Sequence, residues 1–350
     1  MDINLLNLPP WLLWMLLKVL ICIAVIMLLA PPLTWVERRG SAMIQDRIGP
    51  NRAALFGKFK ILGLAHVIAD GIKFFFKEDL VPNDANKKLF WLAPALMFIP
   101  ALMGLAIIPF GRSFESQGVL YHLSLLDPEN GMGLLYPLAI GSISVYGILI
   151  AAWSSNNKWS ILGGMRSSAQ MVSYEIGLGF ALLALFVSVG GYDPHELIAD
   201  QVQHGWFIHR QPLGFLVFFV CQFAETNRLP FDFAEGESEI VAGFHTEFGS
   251  MKFGLLALSE YAHIIVASSL VTTLYLGGWS VPFGDPGTVW PVALTLAMFF
   301  AKMLLVVWIF IWIRWTLPRF KYDQLMHLGW KIIFPLSLVN FVVNAWWLTR

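Results

Sequence analysis

The sequence predicts an all-α polytopic membrane protein with about eight transmembrane helices and one interfacial amphipathic helix, on three observations. Of 350 residues, 57% are hydrophobic and only 13% charged, and the mean hydropathy is +0.66, whereas a water-soluble domain ordinarily carries about 25% charged residues. Apolar runs of about 20 residues, the length a helix needs to cross roughly 30 Å of hydrocarbon, recur along the whole chain. The charges are gathered into a few short stretches between those runs.

The spans fall near Trp11 to Trp35, Phe90 to Phe110, Leu134 to Trp153, Ile161 to Val189, Trp206 to Ala224, Phe248 to Leu276, Val289 to Trp315 and Leu328 to Trp347. Residues 1–350 read as a single transmembrane domain. The first run is long enough to span and lacks a small-residue cleavage site, so it is expected to be a retained anchor. The fifth is the weakest: Leu213 to Ala224 is only about 18 Å long as a helix. Partial burial of Glu225, at its end, is therefore expected.

Between the first two spans, residues 37–88 form a basic loop. Ten lysines and arginines lie in it, and eight of the remaining thirteen fall in the other odd-numbered loops. Positive-inside logic puts these loops in the cytoplasm and both termini outside it. Within the first loop, residues 58 to 77 read as an interfacial helix: Ile61, Leu64, Ala65, Ile68, Ile72, Phe75 and Phe76 share one face at 100° per residue, opposite His66, Asp70, Lys73 and Lys77. That helix is expected to wall an opening for a lipid-soluble ligand, with Ile61, Leu64, Ile68 and Ile72 as the portal residues.

Residues 225–247 carry six carboxylates, Glu225, Asp232, Glu235, Glu237, Glu239 and Glu247, beside one arginine, Arg228. The acidity runs against the positive bias of that side. Leu229, Pro230, Phe231, Phe233, Ile240, Val241 and Phe244 are interleaved with the acids, a composition suited to packing rather than floating in water. Arg38, Arg39, Arg47 and Arg52 of the first loop are the expected counter-charges. Inside the spans, Glu175, Glu260 and Lys302 each fall near mid-membrane, where a charge costs on the order of 2.5–3.5 kcal/mol even on lenient scales. A Glu-Lys pair locking the helices is one reading of them, and a proton relay or ligand-linked charge site is the other. His263, three residues after Glu260, shares its helix face.

Other chemistries find no support in the sequence. Cys22 and Cys221 stand in separate apolar stretches with no C-x-x-C pair, only His263 of the eight histidines is clearly deep, and no nucleotide-binding glycine motif is present. No flavin, haem, iron-sulfur cluster or metal is expected on this chain, nor any nucleic acid as partner. No pair of similarly interrupted halves marks a stand-alone ion transporter.

Three runs carry a family resemblance: E-R-R-G-S-A-M-I-Q-D-R-I-G-P-N-R from Glu37, A-E-T-N-R-L-P-F-D-F-A-E-G-E-S-E-I-V-A-G-F-H-T-E-F from Ala224, and R-W-T-L-P-R-F-K-Y-D-Q-L-M-H-L-G-W-K from Arg314. Together they resemble the H subunit of respiratory complex I, whose mitochondrial counterpart is NADH dehydrogenase subunit 1. The resemblance implies a membrane subunit of the proton-translocating NADH:quinone oxidoreductase, without a complete active site of its own. It implies the lower part of the quinone chamber, with a quinone such as ubiquinone as substrate. It also implies peripheral-arm iron-sulfur subunits and antiporter-like membrane subunits as partners, and an inner membrane, bacterial or mitochondrial, as location. Glu225, Glu239 and Glu260 map onto the family's buried carboxylate chain; Glu37, Glu175, Asp232, Glu235 and Glu237 match further family carboxylates. Membrane-bound hydrogenases contain a related subunit and are the alternative. Phe248 stands where the family often has Tyr, and Ile240 where Leu is commoner.

Overall fold

The computed structural model of the chain describes residues 10–54, 62–116, 119–126, 133–281 and 290–348. Among them, seven helices are long and apolar enough to cross a membrane, and an eighth apolar helix is shorter. In chain order the helices are α1 Pro10–Ile44, α2 Ala65–Phe76, α3 Lys87–Gly104, α4 Leu135–Ser154, α5 Lys158–Val189, α6 Pro194–His204, α7 Phe207–Arg210, α8 Pro212–Glu225, α9 Glu237–Ile240, α10 Ser250–Tyr275, α11 Val292–Thr316, α12 Tyr322–His327 and α13 Phe334–Leu348. A π-helical turn, Leu328–Ile333, joins α12 and α13 into one rod. A two-stranded antiparallel hairpin, Phe114–Ser116 with Val119–Tyr121, adds a small piece of sheet between α3 and α4.

Three boundaries differ from the sequence expectation, each for a local reason. Helix α1 runs nine residues past Trp35, so Glu37, Arg38 and Arg39 sit on a helix rather than in a loop. It ends before Gly49 and Pro50, where the missing proline N–H and the free glycine backbone break the pattern. The fifth span is broken: Gln211 leaves helical geometry at φ −133° and Pro212 opens α8, because the proline ring excludes the helical conformation for the residue before it. Helix α8 is left with 14 residues, about 21 Å. The interfacial helix is shorter than 58–77, with Leu62 to Leu64 forming a turn and residues 55–61 outside the described set.

Three further termini are set by ordinary capping. Asn157 accepts from the Trp159 N–H at 2.9 Å to start α5, Asp193 accepts from His195 to start α6 ahead of Pro194, and Gly190 takes the left-handed conformation, φ 80°, that ends α5.

Helix α5 packs along α4, α8 and α13, while α10 is flanked by α1, α3 and α11. One core, including Leu178, Phe218, Ala262, Phe299 and Phe310, fills the bundle. A second joins α3 and α4 to the acidic loop through Phe90, Met97, Ile148, Ala234, Phe244 and Phe248. Phe248 stacks on Phe90 with ring centroids 4.1 Å apart, an apolar contact that needs no hydroxyl. Large side chains such as Leu20, Leu28, Trp153, Leu305 and Val342 point outward, as expected of helices solvated by lipid.

The loop comes within backbone contact of α5. A Cβ on Gly163 would lie 2.7 Å from the Gly243 Cα and 2.8 Å from the Phe244 nitrogen. Gly243 itself has φ +58°, and a Cβ there would collide with the Ala234 carbonyl. Gly163→Ala should therefore cost about 1–3 kcal/mol through overpacking and loosen the loop. Thermal unfolding in detergent and limited proteolysis within residues 226–249 measure both; wild-type behaviour in the two assays would mean the close approach carries no load.

Candidate functional site

The turn that follows α8 positions the central side chain. Asn227 takes a left-handed φ of 50°, which asparagine tolerates better than most residues. Helix α5 holds the turn: Gln170 Nε2 donates to the Ala224 carbonyl at 2.7 Å, and Ser167 Oγ lies 3.0 Å from Asn227 Oδ1. Arg228 is thereby directed into the bundle, where its side chain is 3% exposed. Its Nε lies 2.6 Å from Glu260 on α10, its Nη1 lies 3.3 Å from Glu37 on α1, and its guanidinium stacks 4.6 Å from the Tyr261 ring centroid. The Tyr261 hydroxyl donates to Glu37 at 2.9 Å, and Arg314 from α11 pairs with the other Glu37 oxygen. Burial works against the Arg228 charge, but Glu260 and Glu37 outweigh it and hold the guanidinium above the ordinary arginine value.

Two cavities meet beside this hub. The larger, about 230 Å³, is lined by Glu37, Glu225, Arg228, Glu235, His245 and Glu260, among others. The smaller, about 50 Å³, lies between α3, α4, α5, α8 and α10, and its lining is apolar except for Gln222, Glu225, Thr226 and His263. Glu225, Thr226 and His263 border both. Because α8 stops after 14 residues, its last side chain, Glu225, is half-buried among neighbouring helices, in agreement with the sequence expectation. Its Oε1 lies against Gly141 of α4, where a Cβ would be only 2.9 Å away. On α4, Ser142 donates a short hydrogen bond to Glu175 of α5.

The other loop acids each have a partner of their own. Asp232 pairs with Arg319 at 2.7 Å and Glu235 lies 3.6 Å from His245. Burial, reinforced by the charge of Glu235, lifts the Asp232 carboxyl to about 7 against the pull of Arg319. Glu239 pairs with Arg166 at 2.6 Å, with the two side chains 41% and 30% exposed. Glu247 accepts from the Asn157 amide at 2.6 Å, which ties the loop to the start of α5. The Glu237 side chain lies outside the described residues. Phe231 is buried between the rings of Tyr174 and Phe320.

Two expected arrangements are corrected. Arg38 pairs with Asp70 of α2 at 2.7 Å, Arg47 bonds Gln45 and Ser41 of its own segment, Arg39 is half-buried beside Gly49 and Arg52 is exposed. Glu239 and Asp232 of the acidic loop are instead paired with Arg166 and Arg319, while Arg314 takes Glu37 of α1. The reason is geometric: continuing α1 as a helix turns Glu37 inward and Arg38 outward, since adjacent helical residues do not share a face. Lys302, the second correction, makes no ion pair among the described residues. Its Nζ donates to the carbonyls of Leu276, Gly278 and Ser280 at 2.7, 3.0 and 2.6 Å and faces the Trp206 ring. It thus serves the orphan carbonyls past the end of α10, about 24 Å along the helix from Glu260.

Helix α2 bridges α1 and α10. Arg38–Asp70 holds one side, while Ser250 Oγ bonds the Phe74 and Lys77 carbonyls at the other, where Lys252 pairs with Asp79. Ile68 and Ile72 face outward, each 54% exposed, and Leu64 is half-buried; Ile61 lies outside the described residues.

The chain matches the NADH dehydrogenase family over residues 17–345. It belongs to that family. An NADH-quinone oxidoreductase H subunit of Cytophaga hutchinsonii, the first of its numbered forms, is 44% identical over 317 residues, covering 89% of this chain and 90% of its own. The second numbered H subunit of Geobacter metallireducens is 42% identical over 355 residues, 99% of each chain, and the H subunit of Leptospira biflexa is 47% identical over 322 residues, 89% of this chain and 87% of its own. In this member of the NADH dehydrogenase family, sequence reasoning missed the partners rather than the acids: Arg314, Arg319 and Arg166 had entered only as loop charges. The presence of Arg314 and Arg319 in one motif run with Tyr322 was the available signal.

Arg228→Met would leave Glu37 and Glu260 facing one another in a buried site and should destabilise the protein by about 3–5 kcal/mol. Adding Glu260→Gln should recover part of that loss in thermal unfolding, and strict additivity would contradict the pairing. For Asp232 the raised folded-state value means that its stabilising contribution is full below about pH 4, the ordinary aspartate value, and is lost as pH rises through about 7. Asp232→Asn should flatten the fall in melting temperature between about pH 4 and 7; an unchanged slope would remove the assignment.

Proposed function

We propose that this chain is the membrane subunit of a proton-translocating NADH:quinone oxidoreductase, lining the access chamber for a quinone such as ubiquinone and passing the energy of quinone reduction to buried carboxylates. The observation that carries this reading is the pair of cavities sharing Glu225. They join loop groups at one end, Glu235 and His245, to Glu260 in the bundle, within reach of Glu175 beyond Gly141 and Ser142. The relatives named as H subunits, aligned over nearly whole chains, support the assignment to the same enzyme. Flavin and iron-sulfur clusters then belong to partner subunits, and antiporter-like membrane subunits receive the charge.

The coupling rests on electrostatics in a poorly solvated space. Quinone reduction takes up protons with the electrons, so a charge appears or disappears above the acidic loop. At an effective dielectric constant of about 20, one unit charge about 8 Å away contributes roughly 2 kcal/mol, enough to move a carboxyl by about 1.5 pH units. Glu225 and Glu260 face the cavity and exchange protons with it. Arg228 meanwhile keeps Glu37 and Glu260 from repelling one another, so the loading of one carboxyl is felt by the next. Glu239, paired at the surface with Arg166, serves as a fastening of the loop. Arg38–Asp70 has the corresponding role for α2, whose inner side frames the portal.

Glu225→Gln and Glu260→Gln should each lower NADH:quinone turnover and proton pumping by about tenfold in an assembled enzyme, in the range of a lost charge contact of about 1.4 kcal/mol or more. Glu239→Gln should fall less than twofold. Wild-type turnover and pumping in both cavity variants, with assembly checked by native gel, would refute the coupling role.

A further inference from the structure

His263 occupies the junction between the two cavities, and its hydrogen bonding defines what it offers there. It stands three residues after Glu260 on α10, so both side chains face the same side of the helix. Its Nδ1 lies 2.7 Å from the Ser259 carbonyl oxygen. A carbonyl can only accept, so Nδ1 carries the proton, and in the neutral ring Nε2 is left as a bare acceptor. That Nε2 is buried and has no hydrogen-bonding protein partner among the described residues. The His263 side chain borders the larger cavity together with Glu260, Glu37, Arg228, Glu235 and His245, and the smaller one together with Glu225 and Thr226.

The Thr226 hydroxyl is committed as a donor to the Gln222 and Phe223 carbonyls at 3.0 and 3.2 Å, which leaves its oxygen as an acceptor. Around the junction there are thus two acceptors, His263 Nε2 and Thr226 Oγ1, and one group that gives or takes a proton, Glu225. A buried acceptor with no donor costs about 1–3 kcal/mol. A water molecule relieves that cost where the space exceeds about 10–15 Å³ and two to four polar groups converge; the cavities on either side measure about 230 and 50 Å³, and His263, Thr226 and Glu225 line both.

We propose that His263 Nε2 is the fixed end of a water-binding site that joins the two cavities, so that Glu225 and Glu260 exchange protons through a water held by the imidazole. The proposal deepens the coupling role assigned above and rests on it. His263 acts as a positioning residue: the ring need not change its charge, because the bound water donates one hydrogen to Nε2 and offers its other hydrogen and lone pairs to the neighbouring carboxyl and hydroxyl. Atoms balance in each transfer, one proton leaving a carboxyl for the water as another leaves the water for the next group.

The test uses the assembled enzyme in proteoliposomes. His263→Leu, which fills similar space without an acceptor, should lower coupled turnover and pumping on the order of a hundredfold, the lower edge of what a positioned proton-transfer arrangement contributes. His263→Asn, polar but unable to titrate in this range, should retain activity within about threefold, since a carbonyl oxygen can hold the same water. Wild-type turnover in an assembled His263→Leu enzyme would overturn the proposal, as would equal loss in the Leu and Asn variants, which would mean that the ring itself must carry the proton. Should His263→Leu fail to assemble, a structure of the wild-type complex at a resolution that shows waters decides the matter: a water within hydrogen-bond distance of Nε2 is expected, and a dry junction overturns it. Glu225→Gln and Glu260→Gln run in parallel separate the two levels, since full activity in these as well would sink the carboxylate reading itself.

Discussion

Keeping several carboxylates inside an apolar bundle is the constraint on which the rest of this structure depends. An isolated carboxylate in such surroundings is very costly, and the fold brings counter-charges to Glu37 and Glu260. Arg228 touches both Glu37 and Glu260, Arg314 takes the second oxygen of Glu37, and Tyr261 contributes both its ring face and its hydroxyl. Four elements, α1, α10, α11 and the loop after α8, converge on this one cluster. The hub therefore joins helices distant in sequence, and a change at any member is felt by all.

The acids separate into two groups by what they meet. Glu225 and Glu260 face cavities, while Asp232, Glu239 and Glu247 are fastened to Arg319, Arg166 and Asn157. The second group holds the loop in place; the first, open to the cavities, is the one to which the proposed function gives proton exchange. Glycine lets the loop seat closely: at Gly163 and Gly243 the loop backbone lies directly on α5. The prolines act similarly on the helices. Pro212 starts α8 late, so the helix ends inside the bundle and its last residue borders both cavities.

Lys302 shows why position along a span is a poor guide to partnership. It stands well inside α11, as do Glu175 and Glu260 inside α5 and α10, and sequence depth alone groups the three. In the fold its ammonium meets the carbonyls that follow α10, a neutral set of acceptors, with an aromatic face beside it. Arg38 and Arg39 make the same point for charge balance. They are expected as counter-charges to the acidic loop, but a helix sends neighbours to different sides, so Glu37 turns inward while Arg38 pairs with Asp70.

The sequence by itself determined the membrane class, the number and rough limits of the spans, the amphipathic character of α2 and which acids stand out, because these follow from hydrophobicity, periodicity and local charge density. Half-burial of Glu225 was legible from the brevity of its apolar run, and the shared face of Glu260 and His263 from helical spacing. Tertiary structure alone decided which arginine meets which acid, that Lys302 caps a helix end, and that two cavities meet at Glu225, Thr226 and His263. These depend on contacts between segments up to 277 residues apart, as in Arg314 with Glu37. Such pairings are set by how helices pack in three dimensions, and the order of residues along the chain carries no direct measure of that distance.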